Sequence, residues 1–94
     1  MGNNYRTSNM IIQNLLEILL DDRLEEGIVK SHLVEICGLK TSTGEKYLSK
    51  MESAGYIKSY EEKWGKERIR IRYAITNLGR TRYEWFVKIN NELL

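Results

Sequence analysis

Apolar residues recur at helical spacing from Met10 to Leu20, where Met10, Ile11, Ile12, Leu15, Leu16, Ile18, Leu19 and Leu20 predict an amphipathic helix capped by Thr7 or Ser8. At 100° per residue, all but Met10 fall within an arc of about 200°, roughly twice what a helix facing one core needs. Gly27 ends the connection that follows Asp21-Asp22-Arg23, and Ile28-Val29 can pair briefly as a strand. Lys30 to Cys37 reads as a short helix with Leu33, Ile36 and Cys37 inward, and Gly38-Leu39-Lys40 supplies a tight turn. A second helix is predicted from about Ser42 to Ala54, with Thr41 or Ser42 as its cap and Gly55 closing it. Gly44, Tyr47, Leu48 and Met51 line one face of it; the other face, Ser42, Thr43, Lys46, Ser49, Lys50 and Ser53, is small or basic throughout.

The period then changes from 3.6 to 2. Ile69, Ile71, Tyr73 and Ile75 alternate with Arg68, Arg70 and Arg72, which predicts a strand whose antiparallel partner is Tyr56 to Lys63. The turn between them falls at Trp64-Gly65-Lys66-Glu67, where Gly65 supplies a positive φ. Asn77 to Leu93 is helical again, with Leu78, Tyr83, Trp85, Phe86, Val87, Ile89 and Leu93 over another arc of about 200°.

The chain of 94 residues is short enough to be a single domain, 1–94, of class α+β. A core of this size without disulfides or a metal often gains burial by oligomerising. The two over-wide terminal helices therefore predict a homodimer. Ile11, Leu15, Leu19, Trp85, Phe86, Ile89 and Leu93 are the candidate interface, and 77–93 is the dimerisation helix.

One Cys and one His leave no internal disulfide and no zinc site, so no metal or cofactor is expected. No paired-carboxylate, phosphate-loop or triad spacing occurs, so an enzyme is not expected and no small-molecule substrate is evident. The start of the chain lacks the apolar run of a signal peptide, and Met10 to Leu20 is too short to cross a bilayer. A cytoplasmic protein with no membrane partner is the expectation. Met1-Gly2 does not extend to a myristoylation motif, because Arg6 stands where Ser or Thr is required.

The net charge of +2 hides an asymmetry: residues 1–55 hold six Lys and Arg against eight Asp and Glu, and residues 56–94 hold nine against five. Lys63, Lys66, Arg68, Arg70 and Arg72 stand against Glu67 alone between positions 63 and 72, a candidate polyanion contact.

The element order is helix, short strand, helix, tight turn, helix, hairpin, helix, and two short helices joined through Gly38-Leu39 form a helix-turn-helix. Two segments carry a resemblance: Leu48-x-x-Met51-Glu52-x-x-Gly55-Tyr56-Ile57 and Tyr73-Ala74-Ile75-Thr76-x-x-Gly79, preceded by Gly27-Ile28-Val29-Lys30-Ser31-His32-Leu33 and Cys37-Gly38-Leu39. Over roughly residues 8–80 the chain resembles the winged helix-turn-helix family, and in particular the small dimeric transcription regulators of archaea and their viruses. The resemblance implies a three-helix core, a two-stranded β-hairpin wing and an extra C-terminal helix. It also implies sequence-specific binding of double-stranded DNA through Thr41, Ser42, Thr43, Lys46 and Lys50 on the recognition helix and Lys63, Trp64, Lys66 and Arg68 on the wing.

The chemistry agrees. Small hydroxyl residues at a helix start let the backbone approach phosphates or base edges, and Lys46 and Lys50, one turn apart, reach either from the same face. Gly44 departs from the family pattern, which has a branched apolar residue there, and implies close helix packing or a local bend. Ordinary solvated surface also fits the Ser/Lys face. Arg70 and Arg72 suit cross-strand pairing with Glu61 or Glu62 as well as DNA. Trp64 suits stacking on a sugar, insertion beside the minor groove, or cover for the hairpin base. His32 reads as a surface residue. Cys37 reads as a small buried thiol, with an intersubunit disulfide as the alternative. An architectural protein that coats DNA with little sequence preference, and a winged-helix module that binds only proteins, are the competing functions.

Overall fold

The computed structural model describes residues 6–21 and 26–92. Helix α1 (Ser8–Leu20) starts where Thr7 Oγ1 accepts a hydrogen bond from the Met10 amide at 3.1 Å. After the connection, whose Asp22 and Arg23 lie outside the described residues, come β1 (Ile28–Val29), α2 (Lys30–Ile36) and α3 (Thr41–Ser53). Strands β2 (Ile57–Trp64) and β3 (Arg68–Ile75) form the hairpin, and α4 (Asn77–Glu92) completes the chain. The arrangement is a winged helix-turn-helix. The hairpin is extended by β1, which pairs antiparallel with β3 through Ile28 opposite Tyr73 and Val29 opposite Arg72, giving a three-stranded sheet of order β1-β3-β2.

The core gathers Leu15, Leu16 and Leu19 of α1, Leu33, Val34 and Cys37 around α2, Leu48 and Met51 of α3, Ile57 and Tyr73 of the sheet, and Phe86 of α4. In α2 the inward residues are Leu33, Val34 and Cys37, and Ile36 is 51% exposed. At 100° per residue Val34 lies on the same side of Leu33 as Cys37, whereas Ile36 points away from both. The start of α3 also differs from the expected Thr41 or Ser42 cap: Lys40 holds that position, with no side-chain cap, and Thr41 is the first helical residue.

Gly44 explains the departure noted in the sequence. A Cβ there would lie 2.6 and 2.8 Å from the two γ-methyls of Val34, so α2 and α3 approach across a bare backbone. The two motif segments likewise meet at one junction. Thr76 Oγ1 donates toward the carbonyls of Gly55 at 2.6 Å and Tyr56 at 3.0 Å, and accepts from the Gly79 amide at 3.0 Å, which caps α4. A side chain at Gly79 would collide with the Tyr56 carbonyl.

Helices α1 and α4 cover much of each other. Asn90 Nδ2 donates to Gln13 Oε1 at 2.6 Å and to the Asn9 carbonyl at 3.2 Å, and Tyr83 Oη donates to Glu17 Oε1 at 2.6 Å. Asn9, Gln13 and Glu17, spaced i, i+4, form one row along α1, on which α4 lies antiparallel. Part of the apolar arcs that predict a subunit interface is covered within the chain: Ile11, Leu15, Leu19 and Phe86 are buried in its own core. Trp85 is 50% exposed, Ile89 is half-buried, and Leu93 lies outside the described residues.

Candidate nucleic-acid interface

Helix α3 is amphipathic in charge as well as in hydropathy. Gly44, Leu48 and Met51 are buried, and Ser42, Ser49 and Ser53 point the opposite way, exposed, flanked by exposed Lys46 and Lys50. Its two acids are turned to other elements. Glu45 Oε2 lies 3.7 Å from Lys30 Nζ on α2, and Glu52 Oε2 accepts a hydrogen bond from Ser59 Oγ on β2 at 2.6 Å. Neither Lys46 nor Lys50 has an ion-pair partner among the described residues. The outward face of the helix therefore carries two uncompensated positive charges beside a stripe of serines. Thr41 and Ser42 are exposed at its start, and Thr43 is half-buried.

The wing sorts its charges by the pleat. Cross-strand register places Trp64 opposite Arg68, Glu62 opposite Arg70 and Tyr60 opposite Arg72 on one face, and Lys63 opposite Ile69 on the other. Arg70 Nε and Arg72 Nε donate to the two oxygens of Glu62 at 2.6 and 2.8 Å, and Arg72 also reaches the Gly27 carbonyl at 2.9 Å. The hydrogen bonds from Arg72 and then Arg70 hold the Glu62 carboxyl below the usual carboxylate range. Both arginines are thus engaged within the sheet, and of the two acids weighed as their partner it is Glu62 that pairs.

Trp64 is flanked by guanidinium groups: those of Arg68 and Arg70 lie 5.3 and 5.4 Å from its ring centre, and it remains 43% exposed. Lys63, Lys66 and Arg68 meet only around the tip, where with Glu67 and Ile69 they line a cleft of about 210 Å³. Among the described residues none of the three has an ion-pair partner. Hydroxyl-bearing Tyr47 and Ser8, which the sequence pattern assigned to the core side and to a cap, lie beside Lys46 and Lys50 of α3 and hydrogen-bond each other at 2.8 Å.

Two other sequence candidates sit apart. His32 is exposed on α2. Cys37 is buried and free, with Arg6 donating to its carbonyl at 2.7 Å and lying 3.7 Å from its sulfur. Burial raises the thiol's pKa, against the opposing pull of Arg6. The described residues hold no cluster of His, Cys, Asp and Glu suited to a metal ion, and none of their helices is long and apolar enough to cross a membrane.

Neither a protein-family sequence model nor a curated protein matches the chain. Solved structures do. MepR of Staphylococcus aureus, solved in a complex with DNA, is similar with a TM-score of 0.69 and 18% identity over 88% of this chain and 64% of its own. A second MepR structure gives the same TM-score and identity, with 57% of its own chain covered, so this chain spans about three-fifths of MepR. TA0346 of Thermoplasma acidophilum, assigned as a transcriptional regulator, matches with a TM-score of 0.64 and 19% identity over 92% of this chain and 90% of its own. Lactococcus lactis ZitR, a zinc-responsive MarR family member, matches with a TM-score of 0.58 and 20% identity over 98% of this chain and 63% of its own. At these identities the likeness is one of fold, and the fold they share with this chain is the winged helix.

Proposed function

We propose that the chain is a sequence-specific double-stranded DNA-binding protein that regulates transcription as a homodimer, of the kind its sequence resembles in archaea and their viruses. The observation that carries the reading is the outward face of α3: Ser42, Ser49 and Ser53 beside Lys46 and Lys50, which have no ion-pair partner among the described residues, with Glu45 and Glu52 turned away to Lys30 and Ser59. A short, small-side-chain stripe lets the helix approach the floor of the major groove, while the flanking ammonium groups meet phosphates or base edges. Thr41, Ser42, Thr43, Lys46 and Lys50 are the proposed contacts from the helix, and Lys63, Trp64, Lys66 and Arg68 from the wing. The similarity to MepR, solved in a complex with DNA, supports this reading.

For the dimer, the remaining face of α4 is the better contact. Leu78 and Trp85, seven residues apart on one side of the helix, are 40% and 50% exposed, and Ile89 continues the same side. Two recognition helices would then address successive major grooves about 34 Å apart.

Selection of bound duplexes from a random pool tests the reading. Enrichment of a near-palindrome, with at least about 10³-fold preference over random duplexes at fixed salt, is the expected result. Equal affinity for all duplexes would instead favour an architectural coat. No duplex binding at all would favour a protein-interaction module.

A further inference from the structure

Ser8, Thr43, Lys46, Tyr47 and Lys50 line an open cleft of about 300 Å³ between the start of α1 and the exposed side of α3. Among the described residues its polar lining is two ammonium groups and three hydroxyls, with no carboxylate. Ser8 Oγ and Tyr47 Oη lie 2.8 Å apart. Two hydroxyls carry two protons, and the bond between them uses one, so one proton remains to donate outward whichever atom is the donor. The cleft therefore offers charge and donors to an anion. A guanine edge in the groove presents acceptors without a net charge and the other bases present a donor or a methyl group, whereas a phosphate presents acceptors together with a negative charge that two ammonium groups match.

We propose that this cleft seats one backbone phosphate of the bound DNA, held by Lys46 and Lys50 and by the outward hydroxyl of the Ser8–Tyr47 pair. The proposal rests on the DNA-binding reading and narrows it. The lysines position the helix on the backbone, and base edges are left to Ser42, Ser49 and Ser53. The start of α1 becomes part of the interface, tied to the recognition helix by a hydrogen bond between side chains 39 residues apart.

A duplex of about 30 base pairs from the selected pool, long enough for two half-sites, is prepared with single neutral methylphosphonate linkages at successive positions. For the wild-type chain, one linkage per half-site should weaken binding by about tenfold or more, the loss of a charge-assisted contact. That same linkage should not weaken the Lys46→Ala/Lys50→Ala variant further. The variant's salt slope should fall by about 1 per half-site, about 2 for the dimer on both, with its preference among duplexes unchanged. The Ser8→Ala/Tyr47→Phe double variant, which keeps the ring but removes both hydroxyls, should weaken all duplexes alike with the slope preserved, whereas either single variant keeps one hydroxyl proton for the phosphate and should cost less. Thermal melts confirm that the variants fold. Altered base preference in the lysine variant, or undiminished sensitivity to the linkage in it, would overturn the phosphate site while leaving DNA binding intact. Failure of the wild-type chain to bind any duplex overturns both.

Discussion

Gly44 and Val34 show how one missing side chain sets a helix pair. Alanine is the better helix former by about 1 kcal/mol, yet its Cβ would sit within 2.8 Å of both Val34 methyls. Overpacking wins, and Gly44→Ala should destabilise the fold by about 1–3 kcal/mol in urea titration, with Val34→Ala in the same chain recovering part of the loss. Glu62 gives a prediction in pH. Its carboxyl titrates below the usual range because Arg72 and Arg70 bond the charged form. Such a depressed group contributes stability that is complete above the ordinary carboxylate value and is lost as pH falls through the folded value. Melting temperatures followed from about pH 6 down to pH 3 should therefore drop less steeply for Glu62→Gln than for the wild-type chain. An unchanged acid limb would mean that the pair is too screened to matter.

At the scale of elements, the junction of α3, β2 and α4 hangs on Thr76. Its hydroxyl caps α4 and bonds the chain leaving α3, so Thr76→Val should cost about 1 kcal/mol or more and loosen α4 first. Amide exchange along 77–80 rising ahead of that in α1 would show it; uniform exchange would count against a local role. The two motif segments were legible in the sequence because each junction needs a particular residue: a cap at Thr76, a bare Cα at Gly79, a left-handed Gly55. The inward face of α2 was not, because Val34 and Ile36 are equally apolar and a seven-residue helix is too short for periodicity to choose between them. The destinations of Glu45 and Glu52 were equally illegible, since each depends on a partner from another element.

For the whole molecule, the question is what the two terminal helices do with arcs wider than one core requires. Each spends part of its arc on the chain's own core and packs against the other through the Asn9, Gln13 and Glu17 row. On α4 the arc divides into a buried side, Gly79, Phe86 and Asn90, and a second side about 100° round that keeps Leu78 and Trp85 at the surface. Sedimentation at micromolar concentration should find a dimer, and Trp85→Ala with Leu78→Ala should return it to a monomer with its thermal unfolding still cooperative. A wild-type monomer would remove the paired half-site geometry.

The sequence by itself determined the elements, their order and the helix-turn-helix with its wing. Those follow from local periodicity, from glycines at left-handed turns and from caps, all of which act over a few residues. It also marked α3 and the hairpin tip as the basic surfaces. Only the tertiary structure decided which charges remain free. Arg70 and Arg72 are held by Glu62, the acids of α3 are drawn off by Lys30 and Ser59, and Lys46 and Lys50 have no ion-pair partner among the described residues. It decided equally that Ile11, Leu15, Leu19 and Phe86 belong to one chain's core. Both outcomes depend on pairings between residues far apart in sequence, and periodicity reports which side of an element is apolar without saying what will cover it.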